Sequence, residues 1–252
     1  MFNPFSLKDK NILITGVSSG IGRQCAISCS QMGATVVLLG RNEQRLSETL
    51  NLLNKGEHLS YSIDLTEYEK IETIISDAVR KVGKIDGFIH AAGIEMTLPL
   101  KMLKPQKLQD VFSINVFSAF HIAKLISKKK YLGNNASFVF IASIMAQLGQ
   151  PGKIGYCSSK GALVAGAKSM ALELANKNVR TNSILPGLVK SEMSLNLLDT
   201  LSEAERISIE NMHPLGVGNV LDVANACIYL LSGGSKWVTG TNLIVDGGYS
   251  AR

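Results

Sequence analysis

Short apolar runs rich in β-branched residues alternate with longer amphipathic segments along the whole chain. The apolar runs lie at 11–16, 34–40, 58–64, 85–93, 137–143, 179–185 and 241–248. The amphipathic segments lie between them, at 20–32, 42–54, 67–82, 105–130, 155–176 and 219–232. Strands that are apolar throughout and alternate with helices indicate a parallel sheet covered on both faces. Because crossovers between parallel strands are right-handed, the pattern predicts a doubly wound α/β fold with about seven strands.

A single domain is expected to account for the chain. Of its 252 residues, 46% are hydrophobic, which is enough apolar material for one core of this size. No linker, repeat or low-complexity segment divides the chain, so we expect one domain over 1–252. The stretch at about 188–213 lies between a strand end and the next helix, and its pattern predicts a helical insertion.

The charge, hydropathy and cysteine content argue against several classes of function. The net charge is +6, but 20 acidic residues are interspersed with 26 basic ones and no aromatic–basic pattern occurs, so nucleic acid is not an expected partner. No apolar run approaches the roughly 18 residues of a membrane span, and the first residues lack the pattern of a secretory signal. The four cysteines form neither a CxxC pair nor a Cys/His cluster, which predicts no metal site and a reducing, cytoplasmic compartment.

The first predicted strand leads directly into a glycine-rich turn, TGVSSGIG at 15–22. Gly16 permits a tight turn, Gly20 lets the backbone approach a pyrophosphate, and Gly22 allows close packing of helix and strand. The N terminus of the following helix offers free N–H groups and a positive dipole to phosphates. This strand–turn–helix context predicts a dinucleotide site of the Rossmann type. The residues assigned to cofactor binding here are Gly16, Ser18, Ser19, Gly20, Ile21 and Gly22.

The end of the second predicted strand indicates which dinucleotide binds. An acidic residue there would bond the ribose 2′-hydroxyl of NAD, whereas an arginine can accommodate the 2′-phosphate of NADP. This chain has Gly40, which leaves no carboxylate to repel the phosphate, followed by Arg41 with its planar donor fork. Arg45 could share that duty, and a solvated arginine at the start of a helix is the other interpretation of Arg41. The two features predict NADP(H) rather than NAD(H).

The segment YCSSK places Tyr156 and Lys160 four residues apart. On a helix these positions share one face, with Cβ atoms about 5–6 Å apart. A free tyrosine has a pKa of roughly 10 and exchanges protons poorly at neutral pH. A nearby ammonium group favours the phenolate, so the spacing predicts that Lys160 lowers the pKa of Tyr156 and makes it a usable acid or base. The alternative is an ordinary tyrosine on a partly exposed helix.

Together these motifs resemble those of the short-chain dehydrogenases/reductases. Beyond TGVSSGIG and YCSSK, the resemblance rests on several further positions: Ser143, Asn115, Asp64-Leu65-Thr66, Pro186-Gly187 and VDGG at 245–248. Their order and spacing cover about residues 6–250. The resemblance implies a single Rossmann-type domain and an NAD(P)-dependent oxidoreductase that interconverts a carbonyl and a secondary alcohol.

The resemblance also implies a role for each catalytic position. Tyr156 would donate a proton to the carbonyl oxygen, and Lys160 would lower the pKa of the phenol and hold the nicotinamide ribose. Ser143 would hydrogen-bond the substrate oxygen as a preorganised donor. Asn115 would help to position a water that links Lys160 to solvent. Taken alone, Ser143 could equally be a strand-end serine and Asn115 an unusual residue inside a helix.

Further cofactor contacts are implied at the carboxyl ends of the later strands. Asp64 and Leu65 would contact the adenine, although Asp64 could also be the N-cap of the helix that it precedes. Ala92 and Gly93 would line the ribose side. The loop at 186–191 would flank the nicotinamide through Pro186, Gly187, Val189 and Ser191.

One departure from the family pattern lies after the fourth predicted strand. The family commonly has Asn-Asn-Ala-Gly there, whereas this chain has His90, Ala91, Ala92 and Gly93. Ala91 cannot supply the amide hydrogen bonds of the second asparagine, so some of the local rigidity must come from elsewhere. His90 is expected to be a strand-end residue rather than a catalytic one.

Several features favour a 3-oxoacyl thioester as the substrate. The length, the compact C terminus and the segment at 214–248 are most similar to the 3-oxoacyl-acyl-carrier-protein reductases. Those enzymes dock an acidic carrier protein. A basic face for such docking would comprise Lys128, Lys129, Lys130 and Lys177, and the alternative is that these lysines are an ordinary solvated surface. Apolar residues of the insertion suit a mobile lid over an acyl chain, and equally over a sugar derivative, a steroid or a small alcohol: Met193, Leu195, Leu197, Leu198 and Met212.

The resemblance further implies a homotetramer built through the helices at 105–130 and 155–176 and through the C-terminal strand. Apolar residues that suit such contacts, or an internal core, are Val111, Phe112, Phe117, Phe120, Leu163, Val164 and Met170.

Two other classes of function stay open. A non-catalytic nucleotide sensor would need none of Ser143, Tyr156 and Lys160. An RNA-binding protein built on a dinucleotide fold would bind its ligand with a steep dependence on salt.

Overall fold

A parallel sheet of seven strands forms the centre of this computed structural model, which describes residues 3–199 and 201–251 except for the side chains of 196 and 197. The strands of the described residues are β1 (Asn11–Thr15), β2 (Thr35–Gly40), β3 (Leu59–Ser62), β4 (Ile85–His90), β5 (Leu132–Ile141), β6 (Arg180–Pro186), β7 (Val189–Lys190), β8 (Gly218–Asn219) and β9 (Asn242–Val245). The order across the main sheet is β3-β2-β1-β4-β5-β6-β9, and neighbouring strands are parallel. The predicted doubly wound α/β fold is confirmed.

Helices cover both faces of this sheet. They are α1 (Gly20–Gln31), α2 (Glu43–Asn51), α3 (Tyr68–Val82), α4 (Pro105–Phe112), α5 (Ser118–Ile126), α6 (Ile154–Glu173), α7 (Glu192–Leu198), α8 (Glu203–Asn211) and α9 (Val220–Leu231). Strand side chains alternate between the faces, so Leu13 and Val37 pack with α3, α5 and α6, whereas Ile12 and Val36 pack with α1 and α9. Because both faces are buried, the strands read as continuous apolar runs.

Two elements differ most from the bounds that the sequence predicts. The fifth strand begins at Leu132 rather than at 137; its pairing with β4 is irregular between Ile85 and Gly87, and Asn135 is left-handed, with φ 52°. Glycine and two asparagines at 133–135 interrupt the apolar run that would otherwise predict this part of the strand. The helix predicted at 105–130 is divided by a π-helical segment, Ser113–Phe117, between α4 and α5. Such segments occur frequently at functional sites.

The switch point of the sheet lies between β1 and β4. The chain builds β2 and β3 on one side of β1 and then continues on the other side, so the loops after β1 and β4 diverge and leave a crevice at the carboxyl ends of these strands. Thr15 and His90 are paired in register at this edge. Since parallel strands direct their following loops to one edge of the sheet, the segments after β2, β3 and β5 surround the crevice as well.

The stretch in which the sequence predicts an insertion contains β7, α7 and α8. β7 pairs in parallel with β8. His213 connects the two ends of the stretch, because its Nε2 accepts a hydrogen bond from the backbone N–H of Leu188 at 3.1 Å while its Nδ1 lies 3.0 Å from the carbonyl oxygen of Ile209.

The apolar residues of this insertion differ in exposure. Met193, Leu195 and Met212 are 48%, 47% and 39% exposed, whereas Leu198 is buried. The side chain of Leu197 lies outside the described residues. Met193 and Leu195 of α7 are therefore exposed apolar residues that a ligand could cover.

Candidate active site

A cavity of about 430 Å³ lies at the carboxyl ends of the strands around the switch point. It brings together many of the predicted cofactor residues, namely Gly16, Ser18, Ser19, Gly20, Ile21, Gly22, Arg41, Asp64, Leu65, Ala92, Gly93 and Ser191. Its remaining lining residues are Gly40, Asn42, Arg45, Ile63, Ala91, Ile94, Ile114 and Met193. Ile63 and Ile114 carry no sequence signal of their own, since they are apolar residues inside predicted strand and helix segments.

The glycine-rich turn has a shape that only glycine permits at two positions. Gly16 has φ 72°, and a Cβ there would lie 2.6 Å from the backbone nitrogen of Ala92. A Cβ at Gly22 would overlap the carbonyl oxygen of Gly16. Glycine at these two positions therefore lets the turn pack directly against the loop after β4 and lets the start of α1 pack against the end of β1.

The N terminus of α1 opens into this cavity. Its N-cap residue, Ser19, makes no side-chain capping hydrogen bond, and the first turn contains no acidic residue. The N–H groups and the positive end of the helix dipole are thus available to an anion, as a pyrophosphate requires.

Two arginines stand where β2 ends and α2 begins. Asn42 is the N-cap of α2, and its side chain accepts a hydrogen bond from the backbone N–H of Arg45 at 2.9 Å. This cap places Arg41 immediately before the helix and Arg45 in its first turn, both along the cavity. A Cβ at Gly40 would lie 2.8 Å from Ser18 Oγ, so the strand end has no room for a carboxylate side chain without rearrangement.

Asp64 forms a turn rather than a helix cap. Its Oδ1 accepts hydrogen bonds from the backbone N–H and the hydroxyl of Thr66, at 2.9 and 2.8 Å. These bonds, and more weakly the charge of Arg41, lower the pKa of Asp64. The N-cap of α3 is Glu67, so the alternative interpretation of Asp64 as that cap is wrong. The carboxylate is ionised at neutral pH and lies at the cavity wall.

Ser143 and Tyr156 meet beyond the carboxyl end of β5. Ser143 is buried and caps a short 3₁₀ turn by accepting from the backbone N–H of Met145 at 3.1 Å. Tyr156 lies in the first turn of α6. Burial raises the pKa of Tyr156 to about 12, although a hydrogen bond with Ser143 acts in the opposite direction.

Lys160 lies one turn further along α6 and is 5% exposed. Its Nζ donates a hydrogen bond to the carbonyl oxygen of Ile141 at 2.9 Å and lies 5.7 Å from the centre of the Tyr156 ring. Burial lowers the pKa of Lys160 to about 8. The spacing argument placed the two side chains on one face correctly. The expected lowering of the tyrosine pKa is wrong for the chain without a cofactor, because desolvation of the phenol outweighs an ammonium group that is bonded elsewhere.

Asn115 lies in the π-helical segment and is fully buried. Its amide accepts from the backbone N–H of Ile94 at 2.8 Å and donates to the carbonyl of the same residue at 3.0 Å. It also donates to Ser159 Oγ at 2.9 Å, and Ser159 in turn donates to the carbonyl of Tyr156 at 2.8 Å. Asn115 therefore fastens the loop after β4 to the helix that carries the tyrosine and the lysine.

Thr15 supplies rigidity where the chain lacks the family asparagine. Its Oγ1 accepts a hydrogen bond from the backbone N–H of Ala92 at 3.2 Å and lies 3.0 Å from His90 Nδ1, to which the hydroxyl can donate. Burial, and next the charge of Lys160, lower the pKa of His90 to about 3. The ring is thus neutral at physiological pH, which agrees with a positioning role at the strand end rather than acid–base chemistry.

The remaining predicted contacts lie outside the lining of the cavity. Pro186 ends β6, and Gly187 donates its backbone N–H to the carbonyl of Val245 at 3.0 Å. Val189 is buried in β7. Tyr156 and Lys160 also lie outside the lining, although Lys160 Nζ is 3.4 Å from the position that a Cβ at Gly93 would take, and Gly93 lines the cavity.

An ion pair near Tyr156 belongs to no sequence motif. Lys153, the N-cap residue of α6, pairs with Glu95 in the loop after β4, and only 7% of the lysine side chain is exposed. Thr97 also donates to Glu95, at 2.7 Å. The carboxylate of Glu95 contributes to the raised pKa of Tyr156, second to burial among the causes that raise it. Residues 58 positions apart in the sequence give no local pattern from which this pair could be predicted.

A family model described as enoyl-(acyl carrier protein) reductase matches residues 16–250. The chain belongs to the short-chain dehydrogenase/reductase family. It is 34% identical over 244 residues to the 3-oxoacyl-acyl-carrier-protein reductase FabG of Rickettsia prowazekii, covering 96% of this chain and 97% of the relative. It is 30% identical over 248 residues to FabG of Thermotoga maritima, covering 96% and 98%.

Solved structures of short-chain dehydrogenases/reductases share the fold over nearly their whole length. A short-chain type dehydrogenase/reductase from Mycobacterium marinum has a TM-score of 0.89 at 27% identity, covering 99% of this chain and 98% of that one. A dehydrogenase/reductase from Sinorhizobium meliloti has the same TM-score and identity, with 98% and 97% covered.

Membership of this oxidoreductase family implies a nicotinamide dinucleotide cofactor. The residues present fit such a group, because the glycine-rich turn lines the cavity and the N terminus of α1 offers free N–H donors there. Among the described residues, no three His, Cys, Asp or Glu side chains form a metal-binding group. No helix in that part of the chain is long and apolar enough to cross a membrane.

Proposed function

We propose that this short-chain dehydrogenase/reductase is an NADP(H)-dependent reductase of 3-oxoacyl thioesters. The observation that carries the proposal is the group formed by Ser143, Tyr156, Lys160 and Asn115 next to the cavity that the glycine-rich turn lines. The bound cofactor would supply a hydride to the carbonyl carbon, and the residues of the chain would supply the proton and the orientation.

Tyr156 is suited to give a proton in the direction of reduction. With a pKa of about 12, the phenol is protonated at neutral pH. When the carbonyl oxygen gains negative charge, the proton moves from the phenol oxygen to that oxygen and leaves a phenolate, which the nearby Lys160 ammonium stabilises. Ser143 donates a hydrogen bond to the same developing charge. The product is a secondary alcohol, and Tyr156 regains its proton from solvent.

The preference for NADP(H) is supported by charge at the adenosine end of the cavity. Arg41 and Arg45 both line this end, at the N terminus of α2 where the helix dipole also favours an anion. Because residue 40 is a glycine, the end of β2 carries no side-chain carboxylate that would repel the 2′-phosphate.

The acyl substrate is supported by the names of the relatives and by an exposed methionine at the cavity. The two FabG relatives are 3-oxoacyl-acyl-carrier-protein reductases. Met193 of α7 lines the cavity and is 48% exposed, so an acyl chain bound there would bury it. Sugars, steroids and small ketones are the competing substrates.

An acidic carrier protein and a homotetramer complete the proposal. Lys128 and Lys130 both contact Glu72, at 2.8 and 3.1 Å, so Lys129 and Lys177 keep most of the free charge of the predicted basic face. This face lies at the amino end of β5, and ten residues of strand, roughly 30 Å, separate it from Ser143. A carrier that docks there would therefore serve the active site of an adjoining subunit.

The tetramer proposal is supported by apolar side chains exposed on the elements expected to form its interfaces. Phe117 is 48% exposed, Leu172 on α6 is 83% exposed, and Ile244 on the edge strand β9 is 43% exposed. Val111 and Leu163 are buried within the chain and belong to its core. Light scattering coupled to gel filtration measures the oligomer directly.

The experiment is to follow nicotinamide absorbance with NADPH or NADH and an acetoacetyl thioester, free or bound to acyl carrier protein. We expect turnover with NADPH, and a lower KM for the carrier-bound substrate that is lost at high salt. Arg41→Ser should raise the KM for NADPH about fivefold to thirtyfold and leave that for NADH unchanged. Arg80→Ser, which alters an exposed arginine on α3, is the matched control.

Substrate panels separate the possible failures. Turnover of a crotonyl thioester instead of the acetoacetyl one would replace carbonyl reduction by enoyl reduction. Activity only with sugars, steroids or small ketones would keep the oxidoreductase and refute the acyl substrate. Nucleotide binding without turnover of any carbonyl compound would point to a sensor.

A further inference from the structure

The first residue of helix α7 is paired with an arginine of the cofactor cavity. Glu192 accepts two hydrogen bonds from Arg45, from Nη1 to Oε2 and from Nη2 to Oε1, each 2.9 Å long. Arginine binds a phosphate with the same parallel pair of donors. The carboxylate thus occupies the donor edge of Arg45 that an anionic ligand would use.

Glu192 also faces the glycine-rich turn at 15–22 (the phosphate turn). The hydrogen bonds and charge of Arg45 lower the pKa of Glu192, and smaller contributions come from a hydrogen bond with Ser19 and the charge of Arg23. Ser19 is the N-cap of α1, and a Cβ at Gly20 would lie only 3.5 Å from the Cβ of Ser191. The start of α7 therefore lies against the turn, with its carboxylate among groups suited to an anion.

The second arginine of the cavity is held less firmly. Arg41 lies 3.9 Å from Asp64, a distance too long for a hydrogen bond, and 66% of its side chain is exposed. It lies four residues before Arg45, ahead of the N-cap of α2, and lines the same cavity. A 2′-phosphate that binds Arg45 through Nη1 and Nη2 must displace Glu192 from both donors.

We propose that Glu192 is an internal competitor for the 2′-phosphate of NADP(H) and couples the type of cofactor to the position of α7. This inference rests on the proposed NADP(H) preference. When the phosphate binds the fork of Arg45, Glu192 loses its partner and is repelled by the new negative charge, so α7 leaves the phosphate turn. NAD(H), with an uncharged hydroxyl at that position, leaves the pair intact. Glu192 therefore lowers the affinity for NADP(H) and makes the lid responsive to it.

The competition is measured with nucleotides that lack the nicotinamide, so that contacts elsewhere in the crevice do not contribute. Isothermal titration of wild type and Glu192→Gln with 2′,5′-ADP and with 5′-AMP gives the four dissociation constants. We expect the variant to bind 2′,5′-ADP about threefold to tenfold more tightly and 5′-AMP equally. Glu48→Gln is the matched control, because Glu48 is an exposed acid on α2 that pairs with Arg23 rather than with the Arg45 fork.

Limited trypsin digestion reports whether α7 and the following helix α8 stay packed against the cavity. Cleavage after Arg206 in α8 should be faster in saturating 2′,5′-ADP than in saturating 5′-AMP. In Glu192→Gln it should be fast without any nucleotide, and in Glu48→Gln it should match wild type. Equal cleavage rates under all of these conditions would refute the coupling to α7.

The binding results distinguish the inference from the cofactor preference on which it rests. If wild type prefers 2′,5′-ADP and Glu192→Gln keeps or reduces that preference, the NADP(H) preference stands and the competition is refuted. If wild type shows no preference and the variant gains one, Glu192 competes as proposed. If neither protein distinguishes the two nucleotides, both statements are wrong.

Discussion

Burial of the Lys160 ammonium should lower the free energy of unfolding, and replacement of Lys160 by methionine measures by how much. The side chain is 5% exposed, and burial lowers its pKa from 10.5 to about 8. Each tenfold change in proton affinity corresponds to about 1.4 kcal/mol, so keeping the ammonium form inside the protein costs about 3 kcal/mol. Lys160→Met preserves the length of the side chain and removes this charge.

The net gain is smaller than the cost of the charge. The variant leaves the carbonyl of Ile141 without its 2.9 Å hydrogen bond, a loss of about 1–2 kcal/mol. The free energy of unfolding at pH 7 should therefore rise by about 1–2 kcal/mol, and the melting temperature by about 3–6 °C. Activity should be lost, since Lys160 can no longer stabilise a phenolate at Tyr156.

The pH dependence of the gain has a defined sign. The folded pKa of Lys160 lies below its unfolded value, so the penalty is present in full below about pH 8 and is lost as the pH rises towards 10.5. The assay is urea denaturation of both proteins without nucleotide at about pH 7 and pH 10, with Lys168→Met, an exposed position on the same helix, as control. A Lys160→Met protein that is less stable at pH 7, or whose advantage grows with pH, would refute the reasoning.

Three further substitutions test other parts of the site. His90→Ala should lower the free energy of unfolding by about 2–4 kcal/mol, because it opens a cavity and removes the partner of Thr15. The kcat/KM of wild type should show no inflection from His90 above about pH 5, since the pKa of His90 is about 3. Urea denaturation and a pH–rate profile measure these effects, and an inflection that disappears in His90→Asn would contradict them. Glu95→Gln should lower the pKa of Tyr156, because it removes a negative charge that raises this pKa. An ultraviolet difference titration of the phenol against Tyr156→Phe measures the shift, and an upward shift would show that the sign is wrong. Gly22→Ala should weaken NADPH binding more than tenfold in a titration, because its Cβ would overlap Gly16, whereas Gly149→Ala, with nothing within 4 Å, should bind like wild type.

The fold and the cofactor turn could be predicted because their signals are local. Apolar runs that alternate with amphipathic segments predict strands buried on both faces. Three glycines after the first strand predict a turn with a backbone conformation that other residues rarely adopt. The spacing of Tyr156 and Lys160 also follows from helix geometry. The right-handedness of the crossovers then places helices on both faces of the sheet, which gives the doubly wound fold.

The parts that could not be predicted depend on contacts between distant segments. The pairs Arg45–Glu192 and Glu95–Lys153 join residues 147 and 58 positions apart, and neither leaves a periodic trace. The high pKa of Tyr156 is a further example, because desolvation depends on what covers the ring rather than on which residue stands four positions away. The π-helical segment around Asn115 likewise has the composition of an ordinary helix.

Proton donation by Tyr156 is tested most directly by a single-turnover experiment with Tyr156→Phe. Removing the phenol oxygen takes away the proton and the hydrogen bond to Ser143 but keeps the ring that packs in the site. With NADPH already bound, the rate of reduction of an acetoacetyl thioester should fall by about a thousandfold or more, while the dissociation constant for NADPH stays unchanged. A variant that reduces the thioester at a rate within tenfold of wild type would show that another group delivers the proton.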